Sequence, residues 1–153
     1  DIDILSLHAE NFARELQGFL AKRFHIAVRV REVGGGRAYR LFQVRKPHNR
    51  HLVDIRPVEA LPPARRVAEV LVVEPEELIA RKIMAFQRRR KTPKSGTDWR
   101  DLAALLLTFP ELKRQSGPVA ERLRAAGVGP EVFSAWQELV AQELQIEDEG
   151  DEF

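Results

Sequence analysis

A change in hydrophobic periodicity along the chain is the feature that most restricts its fold. Between residues 25 and 58, apolar residues alternate with basic or polar ones in "HIAVRVREV", "RAYRLFQVRK" and "RHLVDIRPV". Alternation with a period of two predicts half-buried strands. The turn residues "GGG" at Gly34–Gly36 and "PHN" at 47–49 separate these strands. The three strands are therefore predicted to form an antiparallel meander.

Outside this region the apolar residues follow mostly helical spacing. A short strand, Asp1–Leu5, is predicted to lead into a helix in "SLHAENFARELQGFLAKRF", with Ser6 as its N-cap. After a further short strand, "EVLVV", and Pro75 in a first helical turn, four helices are predicted. They lie in "EELIARKIMAFQRRR", "DWRDLAALLLTF", "PVAERLRAAG" and "PEVFSAWQELVAQEL", with "KTPKSGT" as a loop and Gly127 as a helix stop.

These elements predict an α+β fold, with a small mixed or antiparallel sheet flanked by helices and a helical C-terminal segment. We expect a sheet-and-helix core over residues 1–74, a helical region over 75–146 packed on it, and an acidic tail over 147–153. A domain boundary near Pro62–Pro63 or Pro75 is an alternative to that packing. Both tryptophans, Trp99 and Trp136, lie among apolar residues at helical spacing and are expected in the core.

Composition excludes several classes of site. The 153 residues include no cysteine, which excludes disulfides, thiolate zinc sites and a cysteine nucleophile. No apolar run approaches the roughly 20 residues needed to cross a bilayer, so we expect a soluble, cytoplasmic protein without membrane contact. The net charge is +2, but the acidic C-terminal residues leave the remaining body more basic. Such a body suits a polyanion, although a plain solvated surface explains the charge equally well.

Acidic residues in two predicted strands are candidate metal ligands. Asp1 and Asp3 share one face of the first strand, roughly 7 Å apart. Mg²⁺ is typically held by one or two carboxylates together with substrate phosphates, so the pair could hold it. Asp54 lies between apolar residues of another strand, where a carboxylate needs a partner, and it could be a third ligand. It could instead form an ion pair with an arginine, namely Arg40, Arg45 or Arg56.

A lysine interrupts the apolar stripe of the first C-terminal helix. Lys82 lies four residues after Leu78 and four before Phe86. It could face an anion, or its stem could cover the core while the ammonium reaches water. Five basic residues follow at the end of this helix, namely Arg88, Arg89, Arg90, Lys91 and Lys94. They could contact phosphate groups or RNA, or they could simply interact favourably with the helix dipole.

One segment resembles a known family. The stretch "EPEELIARKIMAFQRRRKTPKSGTDWRDLAALL" is similar to the nucleotidyltransferase-like toxins of abortive-infection systems, the AbiEii/AbiGii type. "DIDIL" resembles the acid pair of that family, and Asp54 resembles its third strand acid. The similarity spans roughly residues 1 to 107 and is strongest over 74–107, where the matching positions are Lys82, Ala85, Arg88, Asp98, Asp101 and Leu102.

The resemblance implies a fold of the DNA-polymerase-β nucleotidyltransferase type. It implies that Asp1, Asp3 and Asp54 hold Mg²⁺ or Mn²⁺, and that Asp54 also positions or activates the acceptor hydroxyl. It further implies phosphate contacts from Lys82 and Arg88, with Asp98 or Asp101 orienting the lysine or lying near the acceptor. The helix dipole alone would also explain Asp98 as an N-cap and Asp101 in the first turn.

The family also carries a glycine–serine turn before the acid pair, and this sequence begins after that position. We therefore expect a chain that lacks an upstream part, and whose catalytic activity depends on that turn being present. The implied function is Mg²⁺-dependent transfer of a nucleotide from an NTP to RNA, such as tRNA, or to protein. It would be the toxin of a toxin–antitoxin or abortive-infection system, with an antitoxin as partner. The alternatives are a degenerate binding protein of the same fold and a basic RNA-binding domain.

Overall fold

The structure is a computed structural model that describes residues 2–144. Its chain divides into two units, residues 1–62 and residues 63–153, which we call the first unit and the second unit. The mixed strand and helix content confirms the predicted α+β class. Asp1 and the predicted acidic tail, 147–153, lie outside the described residues.

A four-stranded sheet forms the centre of the first unit. Its strands are β1 (Ile2–Ser6), β2 (Val28–Val33), β3 (Ala38–Gln43) and β4 (Arg50–Pro57), in the spatial order β1-β4-β3-β2. The β2-β3-β4 pairs are antiparallel, which confirms the predicted meander. β1 lies parallel to β4, so the sheet is mixed and its first strand adds to the edge of the meander.

A single helix, α1 (Ala9–Phe24), covers one face of this sheet. The core between them consists of small helix residues and alternate strand residues, which are Ala9, Ala13, Val28, Leu41, Val53 and Ile55. Because side chains alternate along a strand, the neighbours of these strand residues face the other side. Within residues 2–62, no helix covers that side.

Local signals explain the ends of these elements. The three glycines Gly34–Gly36 all have positive φ, between 65° and 83°, and form the β2–β3 hairpin turn as predicted. Ser6 was expected to cap α1, but that prediction is wrong. Ser6 ends β1, and its hydroxyl accepts a hydrogen bond from the backbone N–H of His8 at 3.1 Å, one residue before the helix begins.

The second unit begins with a small hairpin, β5 (Ala64–Val67) and β6 (Val70–Val73). The predicted "EVLVV" strand is present as β6. Its partner β5 was not predicted, because "LPPARRV" combines two prolines with charged residues. The hairpin exposes several large apolar side chains, namely Val67, Val70, Leu71 and Val72.

Four α-helices complete this unit: α2 (Pro75–Arg88), α3 (Lys94–Thr108), α4 (Pro118–Ala125) and α5 (Pro130–Ala141). α2 packs against the other three. Their core includes Ile79, Ile83, Leu102, Leu106, Leu123 and Trp136, all fully buried. Trp136 also donates its indole N–H to the carbonyl oxygen of Arg114 at 3.1 Å. Trp99 is 39% exposed, so the prediction that it belongs to the core is wrong.

The helices begin and end at the predicted proline and glycine signals, except at the start of α3. Pro75, Pro118 and Pro130 stand in first turns, and Gly127 follows α4 with a φ of 62°. The loop predicted at "KTPKSGT" is shorter than expected because α3 begins at Lys94, directly after Pro93. Within residues 2–144, no helix has the length and apolar character needed to span a membrane.

Candidate active site

Two predicted acids lie side by side on the face of the first unit's sheet that is opposite α1. In the parallel β1–β4 pair, Asp3 is the register partner of Asp54. Neighbouring strands lie about 4.8 Å apart, and register partners project from the same face. Val53 and Ile55 are buried under α1, so Asp54 projects from the opposite face. The structure therefore brings Asp3 and Asp54 together, whereas Asp1 lies outside the described residues.

The carboxylate of Asp54 is held by an arginine from the next strand. Arg40 is the register partner of Asp54 in β3, and its Nε and Nη2 donate to Oδ1 and Oδ2 at 2.8 and 2.9 Å. The Asp54 side chain is only 11% exposed, whereas that of Arg40 is 46% exposed. The hydrogen bonds from Arg40 lower the pKa of Asp54, and burial opposes this effect without overcoming it. Asp54 is therefore ionised at neutral pH.

A histidine also contacts Asp54, because β4 contains a bulge. His51 Nε2 lies 3.1 Å from Asp54 Oδ1. Residues three apart in a regular strand face opposite sides. Here Leu41 pairs with Val53 while Phe42 pairs with His51, so Leu52 is an extra residue in β4. The bulge turns His51 to the side of Asp54. Sequence reasoning did not single out His51 and named Arg40 only as one of three candidate partners.

Arginine also neutralises the second acid. Arg56 Nη2 lies 3.0 Å from Asp3 Oδ1, and both side chains are more than half exposed. A carboxylate has about four lone-pair sites, so each acid keeps capacity for a further ligand. Residues 2–144 contain no group of three His, Cys, Asp or Glu side chains that could hold a metal ion alone. A pair of carboxylates nevertheless fits Mg²⁺, which completes its octahedron with waters and phosphate oxygens.

The second unit carries the predicted lysine and its acidic partner. Lys82 on α2 donates to Asp101 Oδ2 on α3 at 2.6 Å. Their side chains are 31% and 38% exposed, so Lys82 is neither buried nor free in solvent. Arg88, at the end of α2, is exposed. The structure thus pairs two of the predicted site residues, and their predicted roles toward phosphate stay predictions.

Asp98 has a different environment from the one predicted by the helix-dipole explanation. It was interpreted as an N-cap, but α3 begins four residues earlier, at Lys94. Asp98 lies inside the helix with a 7% exposed side chain, and both of its oxygens accept from Arg89 Nη1 at 3.2 Å. Asp98 therefore fixes the end of α2 against α3, while Asp101 is the acid that contacts Lys82.

Comparisons with known proteins agree with the resemblance carried by these residues. The family model described as "Nucleotidyl transferase AbiEii toxin, Type IV TA system" matches residues 1–148. Searches of curated proteins and of solved structures gave no significant match.

Proposed function

Because the chain belongs to the family of nucleotidyl transferase AbiEii toxins of type IV toxin–antitoxin systems, we propose that it transfers a nucleotide from an NTP to an acceptor at the Asp3–Asp54 pair. The acceptor is RNA or protein. The observation that carries this proposal is the register of β1 and β4, which places two acids from separate strands next to each other on the sheet face opposite α1. The family also implies an antitoxin as the counterpart of this chain.

The acid pair suits a divalent ion chemically. Asp3 and Asp54 would hold Mg²⁺ or Mn²⁺, with Asp1 as the further ligand predicted from the sequence. When bound, such an ion neutralises charge on the phosphates and orients them for an in-line displacement. Arg40 keeps Asp54 ionised through two hydrogen bonds, and Arg56 forms an ion pair with Asp3.

The environment of Asp54 supports one of the two roles that the resemblance implies for it. Its lowered pKa favours a ligand or positioning role over proton acceptance, because a general base works best with a pKa near the working pH. Arg40 and His51 also restrict the rotation of this carboxylate. Asp54 therefore positions the reacting groups in this proposal, and does not take the proton of the acceptor hydroxyl.

In the second unit, Lys82 and Arg88 supply cations for phosphate groups. Asp101 holds the Lys82 ammonium at the end of a four-carbon stem, which limits the orientations that a flexible lysine would otherwise sample. Asp101 is thereby a positioning residue that acts through Lys82. Replacing Asp101 with asparagine should lower transfer less than replacing Lys82 with glutamine.

The test measures transfer of label from NTPs labelled at the α-phosphate, in the presence of Mg²⁺. Total RNA and total protein are supplied as acceptors in separate reactions. We expect label in one acceptor pool, and a loss of at least about 100-fold in Asp3→Asn and Asp54→Asn. Glu15→Gln is the matched control, because Glu15 is an exposed acid on α1, the helix that covers the opposite face. Equal transfer by wild type and both aspartate variants would refute the proposal.

Label transfer, together with melting temperature and the salt dependence of RNA binding, separates the two alternatives. A degenerate binding protein would give no labelled product with any NTP and no change of melting temperature with metal and NTP. A basic RNA-binding domain would bind RNA with a steep salt dependence, and the Asp3→Asn variant would bind it equally well.

A further inference from the structure

Five basic residues are concentrated where α2 ends and α3 begins. They are Arg88, Arg89, Arg90, Lys91 and Lys94. The backbone N–H groups of Thr92 and Ser95 donate to carbonyl oxygens three residues earlier, at 2.8 and 3.0 Å, so the connection between the helices is tightly folded. Residues 88–94 therefore form one compact cationic surface, which we call the basic turn.

Most of the charge on the basic turn is not balanced by neighbouring acids. Two of its five cations form ion pairs, with acids on α3 and α5. The other three, Arg88, Lys91 and Lys94, are exposed and form no ion pair within residues 2–144. The first turn of α3 contains no acid, so the positive end of that helix dipole adds to the same field. The basic turn therefore favours an anionic partner.

One of these ion pairs places the basic turn next to α5. Arg90 Nη2 lies 3.2 Å from Glu138 Oε2, and Glu138 is about one turn before the end of α5. Lys113 holds that end, because its ammonium donates to the carbonyl oxygen of Val140 at 2.8 Å. The described residues end at Leu144, which packs against the core of the second unit. Leu144 is therefore at most about 15 Å from Glu138.

The acidic tail begins three residues after Leu144. Its acids, which lie outside the described residues, are Glu147, Asp148, Glu149, Asp151 and Glu152. At about 3.3–3.6 Å per residue, the chain as far as these acids is long enough to return to Glu138 and the neighbouring Arg90. A tether this short gives the carboxylates an effective concentration on the order of millimolar at the cations. Charge and reach together favour the tail as the anionic partner over a separate protein.

We propose that the acidic tail of this chain docks on the basic turn, with its carboxylates against Arg88, Lys91 and Lys94. This contact goes beyond the proposed function and does not require it. A single exposed ion pair contributes little, so the contact depends on several pairs acting together. Because Arg88 is also a predicted phosphate contact, the docked tail competes with phosphate groups there, and this consequence alone rests on the proposed function.

The test is paramagnetic relaxation enhancement, measured by nuclear magnetic resonance on the whole chain. The chain has no cysteine, so Gly150→Cys, between the acids of the tail, provides a single site for a nitroxide label. At about 0.1 M salt, the amide signals of residues 88–94 should lose at least about half of their intensity relative to the reduced label. The screening length falls from about 10 Å at 0.1 M salt to about 3 Å at 1 M, so the loss should disappear at 1 M.

Two double variants separate this contact from general attraction between tail and body. Lys91→Gln with Lys94→Gln should reduce the signal loss at least about threefold, because it removes two of the cations that the tail contacts. Arg114→Gln with Arg124→Gln removes the same charge from exposed arginines of the second unit that form no ion pair within residues 2–144. This control should retain the full signal loss. Circular dichroism shows that each variant is folded before the signals are compared.

A second measurement uses inorganic triphosphate as the probe, without a metal ion. Amide replacement of the three acids at 147–149 should strengthen triphosphate binding at least about threefold, because it frees the basic turn. The same replacement should have no effect in the Lys91→Gln, Lys94→Gln background. Unchanged triphosphate affinity together with the expected signal loss would support the docking and count against the phosphate role of Arg88 in the proposed function.

Three results would overturn the inference. The first is an absence of signal loss at residues 88–94 in about 0.1 M salt, or a loss centred on Arg114 and Arg124 instead. The second is an equal loss in the wild type and in the Lys91→Gln, Lys94→Gln variant. The third is a loss of the same size in a mixture of isotope-labelled and spin-labelled chains, because the contact would then join two copies.

Discussion

Replacing Arg40 with methionine should destabilise the first unit, because it leaves the Asp54 carboxylate in place without its main partner. Methionine keeps an unbranched stem but removes the charge and both hydrogen bonds, at 2.8 and 2.9 Å. The Asp54 side chain is 11% exposed and would keep only its contact with His51, and a buried polar group that loses its hydrogen-bond partner costs about 1–3 kcal/mol. Arg40 itself is 46% exposed, so solvent screening keeps the effect below the 3–5 kcal/mol typical of a fully buried pair.

We therefore expect a loss of about 2 kcal/mol in the free energy of unfolding of the first unit, or roughly 8–16 °C in its midpoint. Hydrogen exchange of peptides from residues 38–57, measured by mass spectrometry, reports on this unit. Fluorescence of Trp99 and Trp136, the two tryptophans of the chain, reports on the second unit and serves as an internal reference.

The destabilisation by Arg40→Met should depend on pH. Arg40 lowers the pKa of folded Asp54 below the unfolded value of about 3.9. The resulting stabilisation is present above that unfolded value and is lost as pH falls through the lower folded pKa. The difference between wild type and Arg40→Met should therefore be full at pH 6 and should narrow below about pH 4.

The matched control is Arg31→Met, which removes the same charge from the neighbouring strand, where the arginine has no ion pair within residues 2–144. It should leave stability unchanged or raise it slightly, because it relieves the repulsion with Arg40. If both methionine variants lowered stability equally at pH 6, the assignment of Arg40 as the partner that holds Asp54 would be wrong.

Four further substitutions test the second unit. Trp136→Ala should cost about 3–5 kcal/mol in chemical unfolding followed by circular dichroism, and a cost below 1 kcal/mol would contradict its central position in the core. Asp98→Asn breaks the buried pair with Arg89 and should lower the free energy of unfolding by about 1–3 kcal/mol. Asp101→Asn should lower it by less than about 1 kcal/mol. Equal losses would be inconsistent with the different burial of the two acids. Lys82→Gln should lower nucleotide transfer while changing the melting temperature by less than about 4 °C, so a larger thermal shift would assign Lys82 a structural role.

The elements that were predicted correctly are those whose signal is local. Strict alternation and three consecutive glycines define the β2–β3 hairpin, and prolines in first turns mark the starts of α2, α4 and α5. The start of α3 was misplaced because Pro93 and Gly96 are both typical loop residues. In the structure Pro93 only precedes the helix, and Gly96 lies within it with no atom within 4 Å of an added Cβ.

The candidate site required information that no local pattern contains. The identity of Asp3 and Asp54 as acids in strands was visible, but their adjacency depends on the parallel pairing of β1 with β4, which α1, β2 and β3 separate from it along the chain. The contact between His51 and Asp54 depends on one extra residue in β4, and a bulge leaves no clear mark in a sequence of alternating residues. The selection of Arg40 among three arginines likewise follows from strand register.

Electron paramagnetic resonance of Mn²⁺ directly tests the proposal that carboxylates from two neighbouring strands together hold a divalent ion. Free Mn²⁺ is titrated against the whole chain with a non-hydrolysable NTP, for wild type, Asp3→Asn, Asp54→Asn and the Glu15→Gln control. We expect saturable binding to wild type and control, weakened by at least about tenfold in each aspartate variant. Folded aspartate variants that bind Mn²⁺ as tightly as wild type would contradict the claim.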